Sequence, residues 1–112
     1  MDTIEYEDFQ KVQIVSGTVV KAEPFPEARK PAYKVWVDFG DKLGVKKTSA
    51  QITHYYTPET LAGKQVMGVV NFKPRQIGPS ISEFLLLGLT SDEGGIVLAQ
   101  PERSVPNGQG LH

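Results

Sequence analysis

The feature that most limits the fold of this chain is the spacing of its apolar residues. Val, Ile and aromatic side chains come in bursts of about strand length, closed off by Gly or Pro before a helical stripe can develop. The clearest burst is "YKVWVDFG", in which Tyr33, Val35, Val37 and Phe39 fall on one face of an extended segment and Lys34, Trp36 and Asp38 on the other. Upstream, "VQIVSGTVVKAEPF" is too long for one straight strand, and Gly17 is the expected bend or bulge. "PEARKPA" is a loop bounded by Pro26 and Pro31, neither of which can donate to a sheet. Beyond Gly40 and Gly44, "VKKTSAQI" reads as a third strand, "QVMGVVNF" as a fourth, "EFLLLGL" as a fifth and "IVLAQ" as a sixth. Two short helical pieces interrupt them. One lies around Tyr6 to Gln10, and the other is "TPETLAGK", with Thr57 as N-cap, Pro58 at the first helical position and Gly63 as the stop.

Five or six short strands with one small helix between the third and fourth predict an all-β fold: a small closed Greek-key barrel of the oligonucleotide/oligosaccharide-binding (OB) type, with short helical insertions and extra terminal segments. The 112 residues are expected to form one domain, 1–112, with no repeat and no low-complexity stretch. No apolar run reaches the length of a membrane span, so membrane insertion is not expected. The acidic opening "MDTIEYEDFQK" lacks the order of an export signal, which with zero cysteines points to the cytoplasm.

Two segments carry more apolar surface than a lone barrel needs. Trp36 stands on the polar face of its strand, and "FLLLGL" does not alternate, so both its faces should be dry. A symmetric homodimer is expected, with Trp36, Leu85, Leu86 and Leu87 as interface candidates.

The charge is uneven. The net value is −1, yet between Arg29 and Arg75 nine Lys or Arg (Arg29, Lys30, Lys34, Lys42, Lys46, Lys47, Lys64, Lys73, Arg75) stand against Asp38, Asp41 and Glu59. Gathered on one face, that excess would hold a polyanion; dispersed, it is a solvated surface. Catalytic constellations are missing. His54 has no second histidine or cysteine beside it, His112 is the last residue, and Ser49, Ser80 and Ser82 lack the context of a nucleophile elbow. No glycine-rich phosphate loop follows a strand, and no metal or cofactor is implied. The expectation is a binding protein and not an enzyme.

The segment "NFKPRQIGPSISEFLLLGL", Asn71 to Leu89, joins a basic, turn-rich stretch to the most apolar run of the chain. It resembles the "N-L-K-P…S-x-x-M" signature of the tRNA-binding domain attached to some methionyl- and phenylalanyl-tRNA synthetases. "GTVVKAEPFPEA", "YKVWVDFG", "TSA" and "YYTPETLAGKQVMGVVNFKP" extend the likeness over most of the chain. Three local variants, "FPEARKPAYK", "SAQIT" (Ser49 to Thr53) and "NFKPRQIGPSISE", are similar to the CsaA family of small bacterial export chaperones.

That resemblance implies an OB-type barrel paired into a homodimer, acting as a chaperone that binds preproteins and the secretion ATPase SecA. Phe72, Pro74, Ile77 and Ile81 would supply apolar surface for extended polypeptide. The rival function is tRNA binding, for which Asn71, Lys73, Arg75 and Ser82 match the RNA-binding signature. Two departures count against it: Leu85 stands where the signature has methionine, and Gly78-Pro79 displaces an Arg-Gly pair. The pI near 6.1 also lies below the usual footprint of a free-standing RNA binder.

Overall fold

The computed structural model describes residues 1–112. Two short helices, α1 (Tyr6–Lys11) and α2 (Pro58–Leu61), accompany nine strands: β1 (Ile14–Pro24), β2 (Tyr33–Asp38), β3 (Val45–Ala50), β4 (Gln65–Val69), β5 (Arg75–Ile77), β6 (Ser80–Ser82), β7 (Leu85–Leu86), β8 (Gly88–Thr90) and β9 (Ile96–Leu98). The length of β1 sets the architecture. Its first half, Ile14 to Thr18, pairs antiparallel with β4, and Thr18 to Pro24 pairs antiparallel with β2. The sheet runs β3-β2-β1-β4-β7 and curls until its two ends meet. There the Glu83 N–H donates to the Lys47 carbonyl at 2.8 Å and the Thr48 hydroxyl to the Phe84 carbonyl at 2.8 Å. The result is the all-β barrel of OB type that the strand count predicts, closed by few bonds along the β3 seam.

The curl of β1 comes from a register shift between Val19 and Lys21, not from Gly17 as the sequence suggests. Gly17 serves a close approach instead. A Cβ there would stand 2.5 Å from Val37 Cγ1 and 2.8 Å from Phe39 Cδ1, so any side chain would push β2 away. Inside the barrel the alternation of "YKVWVDFG" holds: Val35, Val37 and Phe39 are buried. The Phe39 ring meets Phe84 edge-on, with centroids 4.9 Å apart. Helix α2 is capped as its sequence implies, with the Thr60 N–H donating to Thr57 Oγ1 at 3.2 Å and Gly63 at φ +88° ending it. Its Leu61 is fully buried.

Two stretches differ from the sequence reading. "NFKPRQIGPSISE" is not simply a loop, because Arg75–Ile77 and Ser80–Ser82 form a two-stranded ribbon turning at Gly78 (φ +55°) and Pro79. "EFLLLGL" is two strands. β7 lies on β4, Leu87 donates to the Met67 carbonyl at 3.0 Å, and the chain then leaves to pair β8 with β9. Glycine is required at that departure, since a Cβ on Gly88 would stand 2.6 Å from Ile96 Cγ2. The Pro- and Gly-marked tail is ordered against β1: Ser16 Oγ donates to the Pro106 carbonyl (2.9 Å) and accepts from the Gln109 N–H (3.0 Å). Gln65 doubly clasps the Val105 backbone. The buried hydroxyl of Ser16, in a core strand, therefore has its partners about ninety positions downstream.

Candidate functional site

The β5–β6 ribbon builds one wall of a groove. Its register pairs Arg75 with Ser82, Gln76 with Ile81 and Ile77 with Ser80, so Arg75, Ile77, Ser80 and Ser82 share one face and Gln76 and Ile81 the other. The first face stands over β3. Ser82 Oγ accepts the Ser49 N–H at 3.1 Å and lies 3.3 Å from Ser49 Oγ, which pins the ribbon to the edge of the barrel. Beneath it is a hollow of about 280 Å³, walled by Phe72, Lys73, Arg75 and Ile77 and floored by Phe84 and Leu85. A larger hollow of about 690 Å³ continues it between the Phe25-to-Ala32 loop, β3 and β7, and the two share Ser49, Arg75, Ile77 and Leu85. Ala32, Ile52, Ile77, Leu85 and Ile96 make this second part mainly apolar.

The rim is cationic. Arg29 and Lys30 come from the loop before β2, and Lys73 and Arg75 from the ribbon; Glu27 is the one acid on the walls. The chain has three ion pairs, Lys11–Asp8, Lys21–Glu23 and Arg103–Glu102, and none of them uses a groove cation. Four positive charges thus face solvent without a carboxylate within 4.0 Å. Of the other five basic residues of the central stretch, none of which lines the groove, Lys34 lies over the Phe25 ring, Lys64 near Tyr56, and Lys42 beside the hollow near Val70 and Asn71.

The residues singled out from the sequence fall into different places. Phe72 and Ile77 line the groove, whereas Ile81 points from the opposite face of the ribbon and Pro74 does not reach the walls. Lys73, Arg75 and Ser82 are in the groove. The Asn71 amide is occupied by backbone, its Nδ2 donating to the Lys11 carbonyl at 2.7 Å and its Oδ1 accepting from the Gln13 N–H at 2.9 Å, so it fastens the segment after α1. Trp36 is half-buried, with Lys21 Nζ 4.2 Å from its ring centroid. Leu86 packs against the core, Leu87 is half-buried, and Leu85 is 48% exposed on the groove floor. His54 meets Tyr55 edge-on, ring centroids 4.5 Å apart, and lines neither hollow.

Sequence reasoning did not assign Arg29, Lys30, Ser49 and Ile52 to the site. The signals for the first two were the basic excess and the "FPEARKPAYK" variant, neither of which says which charges converge.

Residues 14–110 match the family model described as a putative tRNA-binding domain. Among solved structures, the chaperone CsaA from Bacillus anthracis strain Ames superposes with a TM-score of 0.93 at 44% identity, covering 99% of this chain and 100% of that one. The CsaA chaperone protein from Picrophilus torridus gives 0.91 at 42% identity, covering 98% and 100%. Among curated relatives, a methionine–tRNA ligase of Chlorobium chlorochromatii is 35% identical over 108 residues, 96% of this chain. The chain spans about 15% of that ligase's length.

Proposed function

Because the chain belongs to the tRNA-binding domain family and within it stands beside the CsaA chaperones, we propose that it is a chaperone whose groove holds extended, unfolded polypeptide. The observation that carries the reading is the groove itself: an apolar floor of Ile52, Ile77, Leu85 and Ile96 beneath a rim of four unpaired cations. Apolar contacts at about 25 cal/mol per Å² give micromolar affinity when only a few side chains are covered, as a releasing chaperone requires. The clients of this reading are preproteins, with SecA as the receiving partner, and the working form is a homodimer in the cytoplasm. Support for pairing comes from two apolar side chains left in water, Leu89 and Val97, opposite each other on the β8–β9 ribbon.

A second reading, tRNA binding, is favoured by one specific observation: Lys73, Arg75 and Ser82 converge in the groove with Arg29 and Lys30. Fluorescence anisotropy of labelled bulk tRNA at two salt concentrations, with unfolded preprotein as competitor, separates the two. Saturable peptide capture with weak tRNA binding is the expected result. Tight, salt-sensitive tRNA binding that ignores the peptide would replace the chaperone reading.

A further inference from the structure

The groove lies where the barrel fails to close, and the backbone there has groups to spare. Along β3, Thr48 and Ala50 pair toward β2 while Lys47, Ser49 and the following Gln51 turn their backbone outward to the seam. Lys47 is satisfied at both ends, its carbonyl accepting from the Glu83 N–H and its N–H donating to Glu83 Oε1, each at 2.8 Å. Ser49 is half satisfied: its N–H goes to Ser82 Oγ, but its carbonyl has only a 3.4 Å contact from Thr48 Oγ1. The N–H and carbonyl of Gln51 make no hydrogen bond. Pairing therefore runs out along β3 just as the groove reaches its wider part, within the "SAQIT" segment, one of the three that resemble the CsaA family. Across the seam, the bond from Leu87 to Met67 leaves Leu86 as the residue whose backbone turns away from β4.

Resting on the chaperone reading, we propose that polypeptide is taken by strand addition. An extended segment bearing acidic side chains pairs its backbone with the Ser49-to-Gln51 edge inside the seam. Its alternate apolar side chains rest on Ile77 and Leu85, and its carboxylates face Arg29, Lys30 and Arg75. Charge complementarity selects the acidic segment, since three cations without carboxylate partners border this part of the groove and only Glu27 opposes them. The edge selects polypeptide over nucleic acid. An extended peptide supplies a donor for the Ser49 carbonyl and an acceptor for the Gln51 N–H at matching spacing, an alternation that a sugar–phosphate backbone does not repeat. Recognition through main-chain bonds is indifferent to most side chains, which gives breadth of clients without a loose pocket.

The test is an N-methyl scan of a fluorescein-labelled peptide of alternating leucine and glutamate, titrated into the intact protein. Strand addition predicts about five- to tenfold weaker binding at the two alternate positions whose N–H groups meet the Ser49 and Gln51 carbonyls, and none between or beyond them. On the protein side, Gln51→Pro, which removes the donor, is expected to reproduce the loss and to bind more weakly than Gln51→Ala, which keeps it. Peptide binding that is equally strong at all methylated positions would overturn strand addition and leave a side-chain groove, with the chaperone reading intact. No binding of the unmethylated peptide under conditions where tRNA binds would overturn both.

Discussion

Replacing Phe72 with serine is the sharpest probe of the groove. Phe72 forms the end wall and keeps 56% of its surface exposed. With roughly 150–250 Å² at stake for an aromatic side chain, about 100 Å² remains for a ligand to cover. At ~25 cal/mol per Å² that is ~2.5 kcal/mol, or about sixtyfold in Kd, if a client covers all of it. Covering half gives about tenfold. The barrel should not feel the change, because Phe72 lies outside the buried cluster of Val35, Val37, Phe39 and Phe84. Its effect on stability should stay within ~0.5 kcal/mol, as for ordinary surface positions. Anisotropy of a labelled unfolded preprotein segment gives the first quantity and thermal unfolding the second. A Kd that moves less than about twofold at unchanged Tm would take Phe72 out of the site and, with it, the apolar-wall account of capture.

Changing Lys73 and Arg75 together to alanine should flatten the log–log salt dependence of tRNA binding by about 1.4–1.8 units; an unchanged slope would show that the ribbon does not meet phosphate. Ser16→Ala removes two of the hydrogen bonds that hold the tail and leaves their partners unpaired, a cost of about 1–3 kcal/mol, visible as a Tm lowered by roughly 5 °C or more. Replacing Leu89 and Val97 with aspartate should convert a dimer to a monomer in light scattering while the fold persists; a dimer that survives would place the interface elsewhere.

The barrel was legible because its information is local. Alternation in "YKVWVDFG", the Thr57-Pro58 start and Gly63 stop of α2, and Gly and Pro punctuation each act over a few residues, and each has its counterpart in the structure. The errors have a common physical origin in long-range partners. Gly17 looked like a bend because a glycine's need for space from Val37 and Phe39 cannot be told from a need for unusual φ. "FLLLGL" looked like one doubly buried strand because nothing in it announces that Ile96 will crowd Gly88 and send the chain to β9. At the site, the ribbon residues were visible as a cluster in sequence, but Arg29 and Lys30 reach them only through the fold. Asn71 matched a ligand-binding signature and is engaged by the backbone of Lys11 and Gln13, which lie about sixty positions away.

The groove stays open because side chains, and not another strand, complete the edge of β3. Glu83 Oε1 and Ser82 Oγ take the N–H groups of Lys47 and Ser49 that carbonyls of a neighbouring strand would otherwise accept. With those donors occupied, β6 cannot zip onto β3 as β2 does on the other side; it meets β3 through one backbone bond, from Glu83 to Lys47, and then diverges. Divergence creates the width in which Ile77 and Leu85 face each other and in which Gln51 has no partner. A full ladder would add main-chain bonds at about 0.5–1.5 kcal/mol each, and the same bonds would abolish the cavity. The "SISE" stretch, with its two serines and a glutamate, thus trades a fraction of barrel stability for an open seam.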